Sequence, residues 1–207
     1  MPDPNSPVYP EAVARVAYPL IRAAQGRTFV LCTALKAMRR IHEVIADKLA
    51  AEQLDLPLLL QGEGSRSELL ARFRRLGNAI LVASQSFWEG VDVPGDALSV
   101  VVIDKLPFAP PDDPVLAARI EHLQKSGRNP FMEYQLPRAV INVKQGAGRL
   151  IRTERDRGVL AICDPRMLSK PYGRRVWQSL PPMRRSKVEA EVVAFLEDLP
   201  PPAAGGC

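Results

Sequence analysis

The chain has 207 residues, 46% of them hydrophobic, and a formal net charge of +5. That is enough apolar content for one domain with a sizeable core, while no apolar run reaches membrane-span length and no signal peptide opens the chain. Cys32, Cys163 and Cys207 form no CxxC or zinc spacing, so the expected location is cytoplasmic, with no membrane partner and no metal held by this chain.

The charge is unevenly spread. From Arg138 to Lys187 there are 13 Lys/Arg and 3 Asp/Glu, which leaves 15 basic and 20 acidic residues elsewhere. A basic block of this kind points to an anionic partner such as a nucleotide or nucleic acid. The plainer alternative is a solvated basic face.

In chain order, Met1 to Pro10 is rich in proline and is expected to be an extended lead-in. Glu11 to Gln25 has apolar residues at helical spacing, with Pro19 expected to kink or split the helix and Gly26 to cap it. Five apolar runs are expected to be strands: Thr28–Thr33, Leu56–Gln61, Ala79–Ser84, Leu98–Asp104 and Gly158–Asp164. Helical patterns over Ala34–Glu52 and from a capping box at Ser65–Glu68 separate them. A second capping box, Ser186–Glu189, is expected to start the last helix. Strands alternating with helices and apolar on both faces predict a doubly wound α/β domain with a parallel sheet. Its ligands are expected at the carboxyl ends of the strands. The proline-rich stretch at about 108–137 breaks the rhythm and is expected to be an insertion with one helix near Asp113–Ser126. The domain is thus expected over 11–199, with C-terminal helices at about 170–199 and a mobile tail at 200–207.

Two motifs carry candidate chemistry. The first is Gln145-Gly146-Ala147-Gly148-Arg149-Leu150-Ile151-Arg152. Spacing of i, i+3 puts Arg149 and Arg152 side by side on one helical face. Two guanidinium forks aimed at one place suit a phosphate, and the glycines let a ligand or backbone come close. The plain alternative is a loosely packed basic helix. The second motif follows the third strand: Ser84, Gln85, Ser86, Phe87, Trp88, Glu89, Gly90, Val91, Asp92. Its aromatic faces suit stacking on bases, its hydroxyls suit phosphates, and Asp92 suits a ribose hydroxyl. The alternative is a loop packed down by its two aromatics.

In this order and at this distance, SFWEGVDVPG and QGAGRLIR resemble the second helicase domain of superfamily-two helicases, in the DinG/YoaA branch of the XPD-like group. LPFAPPDDP and NPFMEYQLP between them look like the same branch. The resemblance implies a RecA-like sheet. It implies that Arg149 and Arg152 reach the γ-phosphate of ATP, with Gln145 and Gly148 in the same motif. It implies that Glu89, Gly90 and Asp92 lie near the nucleotide ribose. It implies single-stranded DNA contacts at Thr33, Ser84, Ser86, Phe87 and Trp88, with Gln61 as a further candidate. The implied reaction is ATP hydrolysis coupled to 5′-to-3′ movement on DNA, in repair and replication.

No GxxxxGK[ST] occurs in the chain, so it carries no phosphate-binding loop. Three scattered cysteines also do not match the four-cysteine iron–sulfur cluster of this group. The resemblance therefore implies a partner, the first helicase domain, that holds most of ATP, Mg2+ and the cluster. Alone, this chain is expected to be inactive. The resemblance also implies a possible docking role for Trp177, Leu180, Pro181, Pro182, Met183, Arg184 and Arg185, with the clamp-loader chi subunit as the partner. Packing of the last helices onto the core is the alternative for that segment.

Overall fold

The computed structural model describes residues 1–84, 87, 97–109, 113–148, 150–151 and 156–201. Five strands, β1 (Thr28–Cys32), β2 (Leu58–Leu60), β3 (Ile80–Ser84), β4 (Val100–Ile103) and β5 (Val159–Ile162), form one sheet. The order is β2-β3-β1-β4-β5 and all described pairs are parallel. Every strand falls inside its expected apolar run. The runs are continuous because side chains on both faces meet helices.

Alternation along each strand divides the core in two. Phe29, Leu31, Leu81, Ala83, Val101 and Ile103 point to one face. There they pack under α3 (Arg66–Leu76), α5 (Leu136–Ala147), the short α6 (Arg166–Ser169) and α7 (Gly173–Ser179). Val30, Cys32, Ile80, Val82, Val100 and Val102 point to the other face, under α1 (Tyr9–Ala23), α2 (Leu35–Ala51) and α8 (Glu189–Glu197). The connection from β1 to β2 runs across the sheet one way through α2. The connections β2 to β3 and β4 to β5 run the other way, through α3 and α5 on the opposite face. Reversing both direction and face keeps one hand for these three crossovers. The direction reverses between neighbouring strands β1 and β4, which makes their junction the topological switch point.

The ends of the elements show which local signals held. Ser65 Oγ accepts the Glu68 N–H and Glu68 accepts the Ser65 N–H, so the first capping box forms and α3 starts there. The insertion helix α4 (Pro114–Lys125) is capped by Asp113, which accepts from Val115 and Leu116. The second box does not form. Ser186 Oγ accepts from Val188 and bonds Glu191, and α8 begins at Glu189 with no side-chain cap. A hydroxyl that reaches only two residues ahead closes a local turn rather than the first helical turn.

One proline expectation is corrected and a second is narrowed. Helix α1 starts at Tyr9, inside the supposed lead-in, because Pro10 sits in the first turn, where its missing N–H costs nothing. Pro19 does not interrupt the helix. Proline within a helix costs about 3 kcal/mol, which the burial of Tyr9, Val13, Ala17, Ile21 and four further α1 residues offsets. The helix then ends in a Schellman turn. Gln25, not glycine, takes the left-handed position at φ 53°, and the Gly26 N–H reaches Ile21 O. Gly26 is required one step later, at φ +83°, where a Cβ would stand 1.9 Å from the Asn78 carbonyl oxygen.

The stretch between Pro130 and Pro137 is also more regular than expected. Phe131–Gln135 forms a π-helical turn that runs directly into α5. Among the described residues of the expected tail, Pro200 is fixed, since its carbonyl accepts from Arg27 Nη1 at 2.8 Å. Residues 202–207 lie outside the description.

Candidate functional site

In a parallel sheet all strands end at one edge. The residues that close these strands form a row, in sheet order Gln61, Ser84, Thr33, Asp104 and Asp164. Neighbours in this row are tied through side chains. The Ser84 N–H donates to Gln61 Oε1 at 2.7 Å, so the half-buried Gln61 braces edge strand β2 against β3. At the switch point the Asp104 carboxylate accepts the Thr33 N–H at 3.1 Å on both oxygens, the Thr33 hydroxyl at 3.3 Å and the Lys105 N–H at 2.6 Å. Asp164 accepts from Leu106 N–H and from both the backbone and guanidinium of Arg166. Tyr9 from α1 closes the row from below, its hydroxyl proton shared between the carbonyls of Asp104 (2.7 Å) and Cys163 (3.1 Å).

Burial dominates the electrostatics here. Asp104 is 1% exposed, and loss of hydration pushes its carboxyl up to about 6 against the pull of its hydrogen bonds. Burial likewise raises the Tyr9 phenol and the Cys32 thiol, and pushes the Cys163 thiol up to about 12. Both cysteines behave as small apolar residues. They lie apart in sequence and suit no iron–sulfur cluster. Among the described residues, no group of His, Cys, Asp and Glu comes together as a metal would require.

Thr33, Gln61 and Ser84 therefore share the carboxyl edge. Phe87 does not present its face there. It is 4% exposed, belongs to the core under α3, and has the Arg66 guanidinium over its ring at 5.5 Å. The buried ring is not available to stack on a base. Ser86, Trp88, Glu89, Gly90 and Asp92 lie outside the described residues.

The described part of the first motif, Gln145–Gly148 with Leu150 and Ile151, sits at the other edge, contrary to the expectation that the motifs gather at strand carboxyl ends. Helix α5 leaves the carboxyl end of β4 and returns antiparallel to the strands, so its last turn reaches the start of β5. Leu150, 2% exposed, packs where β4 and β5 begin: a Cβ at Gly158 would lie 2.6 Å from Leu150 Cδ1 and 2.6 Å from the Ser99 carbonyl oxygen. Gln145 and Gly148 are exposed at this amino edge, and Gly146 and Ala147 are buried. With strands of three to five residues at ~3.3 Å each, the two edges stand roughly 10–16 Å apart.

The helix also stops earlier than the arginine spacing implied. Gly148 is its C-cap at φ −66°, Leu150 lies in a turn and Ile151 is irregular. The Leu150 N–H bonds the Ala147 carbonyl at 3.0 Å, so a turn follows the helix. Arg149 and Arg152 themselves lie outside the described residues.

Sequence reasoning missed Asp104, Tyr9, Asp164 and Arg166 as parts of the carboxyl edge. A signal was present, because two apolar runs, VVVI and VLAIC, each end in aspartate. An acid at the end of a fully buried strand must find donors, and the facing turns supply them. Tyr9 gave no such signal inside its proline-rich setting.

Comparison with known proteins agrees with this architecture. The family described as "Helicase C-terminal domain" matches residues 18–183. The chain is 50% identical over 196 residues to the ATP-dependent DNA helicase YoaA of Escherichia coli K12, covering 95% of this chain and 30% of that protein. It is 40% identical over 180 residues to the ATP-dependent helicase DinG of Mycobacterium tuberculosis H37Rv, covering 87% of this chain and 26% of the relative. It thus spans less than a third of the curated relatives it matches. An XPD helicase structure superposes with a TM-score of 0.60 at 18% identity, covering 89% of this chain and 33% of the other, which shows a shared RecA-like fold. Among the described residues, no helix is long and apolar enough to cross a membrane. Extending over most of its length, the match places the chain in the helicase C-terminal domain family, as a second helicase domain of the DinG and YoaA type.

Proposed function

We propose that this domain is the second motor half of an ATP-dependent 5′-to-3′ DNA helicase that works in DNA repair and replication in the cytoplasm. The observation that carries the proposal is that Gln145 and Gly148 lie at one edge of the sheet and Thr33, Gln61 and Ser84 at the other. The amino edge presents Gln145 and Gly148, and the motif continues through Arg149 and Arg152. The carboxyl edge presents Thr33, Gln61 and Ser84. The segment after Ser84 joins the carboxyl end of β3 to the amino end of β4. It therefore links the two edges covalently, and it contains Ser86, Trp88, Glu89, Gly90 and Asp92.

ATP with Mg2+ supplies the phosphoryl chemistry, held mainly by the first helicase domain, which also carries the iron–sulfur cluster. This chain contributes Arg149 and Arg152 to the γ-phosphate, Gln145 and Gly148 beside them, and Glu89, Gly90 and Asp92 to the nucleotide. Guanidinium groups that meet charge developing on the phosphoryl group raise rates by ~10³–10⁵. Thr33, Ser84, Ser86 and Trp88, with Gln61, hold the backbone and bases of single-stranded DNA. Domain closure on ATP then moves this edge along the strand.

The test is Arg152→Ala in the two-domain enzyme. A group that acts only in the transition state lowers kcat and leaves ATP binding nearly unchanged. A raised KM with an unchanged kcat would assign Arg152 to ground-state binding instead. A role for the C-terminal segment in docking the clamp-loader chi subunit has less support. Trp177 packs against the core and Arg185 lies over its ring at 5.0 Å, which favours intramolecular packing.

A further inference from the structure

The insertion between β4 and α5 holds a side-chain stack separate from both motif groups. Arg119 on α4 and Arg138 in the first turn of α5 place their guanidinium carbons 5.2 and 5.7 Å from the centroid of one ring, Tyr134. Arg138 Nη1 also donates to the Tyr134 hydroxyl at 3.1 Å. Tyr134 is half-buried on the π-helical turn, and both arginines are exposed. Neither guanidinium forms an ion pair among the described residues. Their neighbours do, since Lys125 pairs with Glu121 and Arg128 with Glu133. Glu121 and Glu133 are thus taken up, and among the described residues the stacked pair keeps its charge. Beside it runs a cleft of about 710 Å³, lined also by Val115, Ala118 and His122.

A guanidinium held against a phenol ring has fewer orientations open to it than one on a free side chain, and its N–H groups remain available to an oxyanion. Two such groups on one ring are a poor surface for water alone, and they suit phosphates. The exposed Val115 and the tyrosine edge add apolar contact of the kind that unpaired bases use and a duplex hides. The location agrees: Phe131, at the start of the π-helical turn, rests on Phe108, just beyond β4, at 5.5 Å. The stack therefore lies on the carboxyl-edge side of the domain, with Thr33 and Ser84.

We propose that the Arg119–Tyr134–Arg138 stack binds the phosphates of single-stranded nucleic acid and extends the carboxyl-edge track onto the insertion. The proposal rests on the carboxyl edge being the strand-carrying edge. The experiment is fluorescence anisotropy of a labelled oligothymidylate with the full 207-residue chain at several salt concentrations. Losing two phosphate contacts should make the log–log salt slope shallower by roughly 1.4 and weaken binding on the order of tenfold at ~0.1 M salt. Arg119→Gln/Arg138→Gln should show this with an unchanged melting curve. Arg119→Lys/Arg138→Lys should keep the slope, because it keeps the charge. Should the double glutamine variant fold poorly, Arg119→Gln alone should still lose about half of the slope change. Wild-type affinity and slope in the glutamine variants, together with weakened binding by Thr33→Ala, would overturn the stack while leaving the carboxyl edge in place. Absence of binding by the wild-type chain would overturn both.

Discussion

The two edges of this one sheet are built by different means. At the carboxyl edge, side chains tie neighbouring strand ends together: Gln61 to Ser84, Asp104 to Thr33, and Asp164 to Leu106 and Arg166. At the amino edge the ties are backbone bonds, such as Ser99 and Val100 N–H to Arg27 O and Val159 N–H to Ser99 O, sealed by the close fit of Leu150 on Gly158. The first edge depends on buried polar side chains and the second on the absence of a side chain. Buried acids in a helicase domain invite a catalytic interpretation. Here Asp104 and Asp164 are consumed by the protein's own donors, and they serve to hold turns in place. Four substitutions or conditions separate the two modes of construction.

The largest effect is expected at the carboxyl edge. Asp164→Ala leaves the Leu106 N–H without its acceptor and Arg166 without its partner. Breaking a buried pair costs about 3–5 kcal/mol, and Arg166 is partly exposed, so a loss of about 3 kcal/mol is expected in urea denaturation. A loss under ~1 kcal/mol would mean that water replaces the carboxylate freely.

Asp104 gives a pH signature of similar size. Its folded-state pKa of about 6 lies above the ordinary 3.8, so between these values the folded chain binds more protons than the unfolded one. Stability attributable to this group therefore falls as pH rises from ~4 to ~6, by on the order of 2–3 kcal/mol. Comparing the pH profile of unfolding in wild type and Asp104→Asn isolates it. Profiles that run parallel throughout this window would place the titration elsewhere.

At the amino edge, Gly158→Ala forces a methyl group against Leu150 and the Ser99 carbonyl. Overpacking costs typically ~1–3 kcal/mol, and a backbone oxygen cannot step aside as a flexible side chain can, so about 2 kcal/mol is expected from thermal melting. The smallest effect is Tyr9→Phe. It removes one hydroxyl from two buried carbonyls and should cost about 1 kcal/mol, with no change in single-stranded DNA affinity at pH 7.

Most of the fold was legible because its signals are local or collective. Continuous apolar runs marked all five strands, and Ser65 with Glu68 marked the start of α3. Elements defined by distant contacts were not legible. Tyr9 begins a helix inside a proline-rich stretch because its hydroxyl reaches carbonyls 95 and 154 residues away. Pro19 is tolerated because the helix around it is buried. Phe87 had equal claims to solvent and core by composition, and only the packing under α3 decides. The candidate site was legible as residue types but not as places. The rule that ligands collect at strand carboxyl ends applies to turns that follow strands. Gln145 and Gly148 end a returning helix, which carries them to the opposite edge.

The division of labour between the edges has one direct consequence. On the proposed assignment, a domain that lends arginines to ATP and a surface to DNA, yet has no phosphate-binding loop in its sequence, should be silent alone and active in company. The measurement is ATP hydrolysis by the purified chain, with and without single-stranded DNA, before and after addition of the first helicase domain. The expected result is background turnover from the chain alone under both conditions, and DNA-stimulated turnover only when the two domains are combined. Robust DNA-stimulated hydrolysis by this chain alone would contradict its role as one half of a motor.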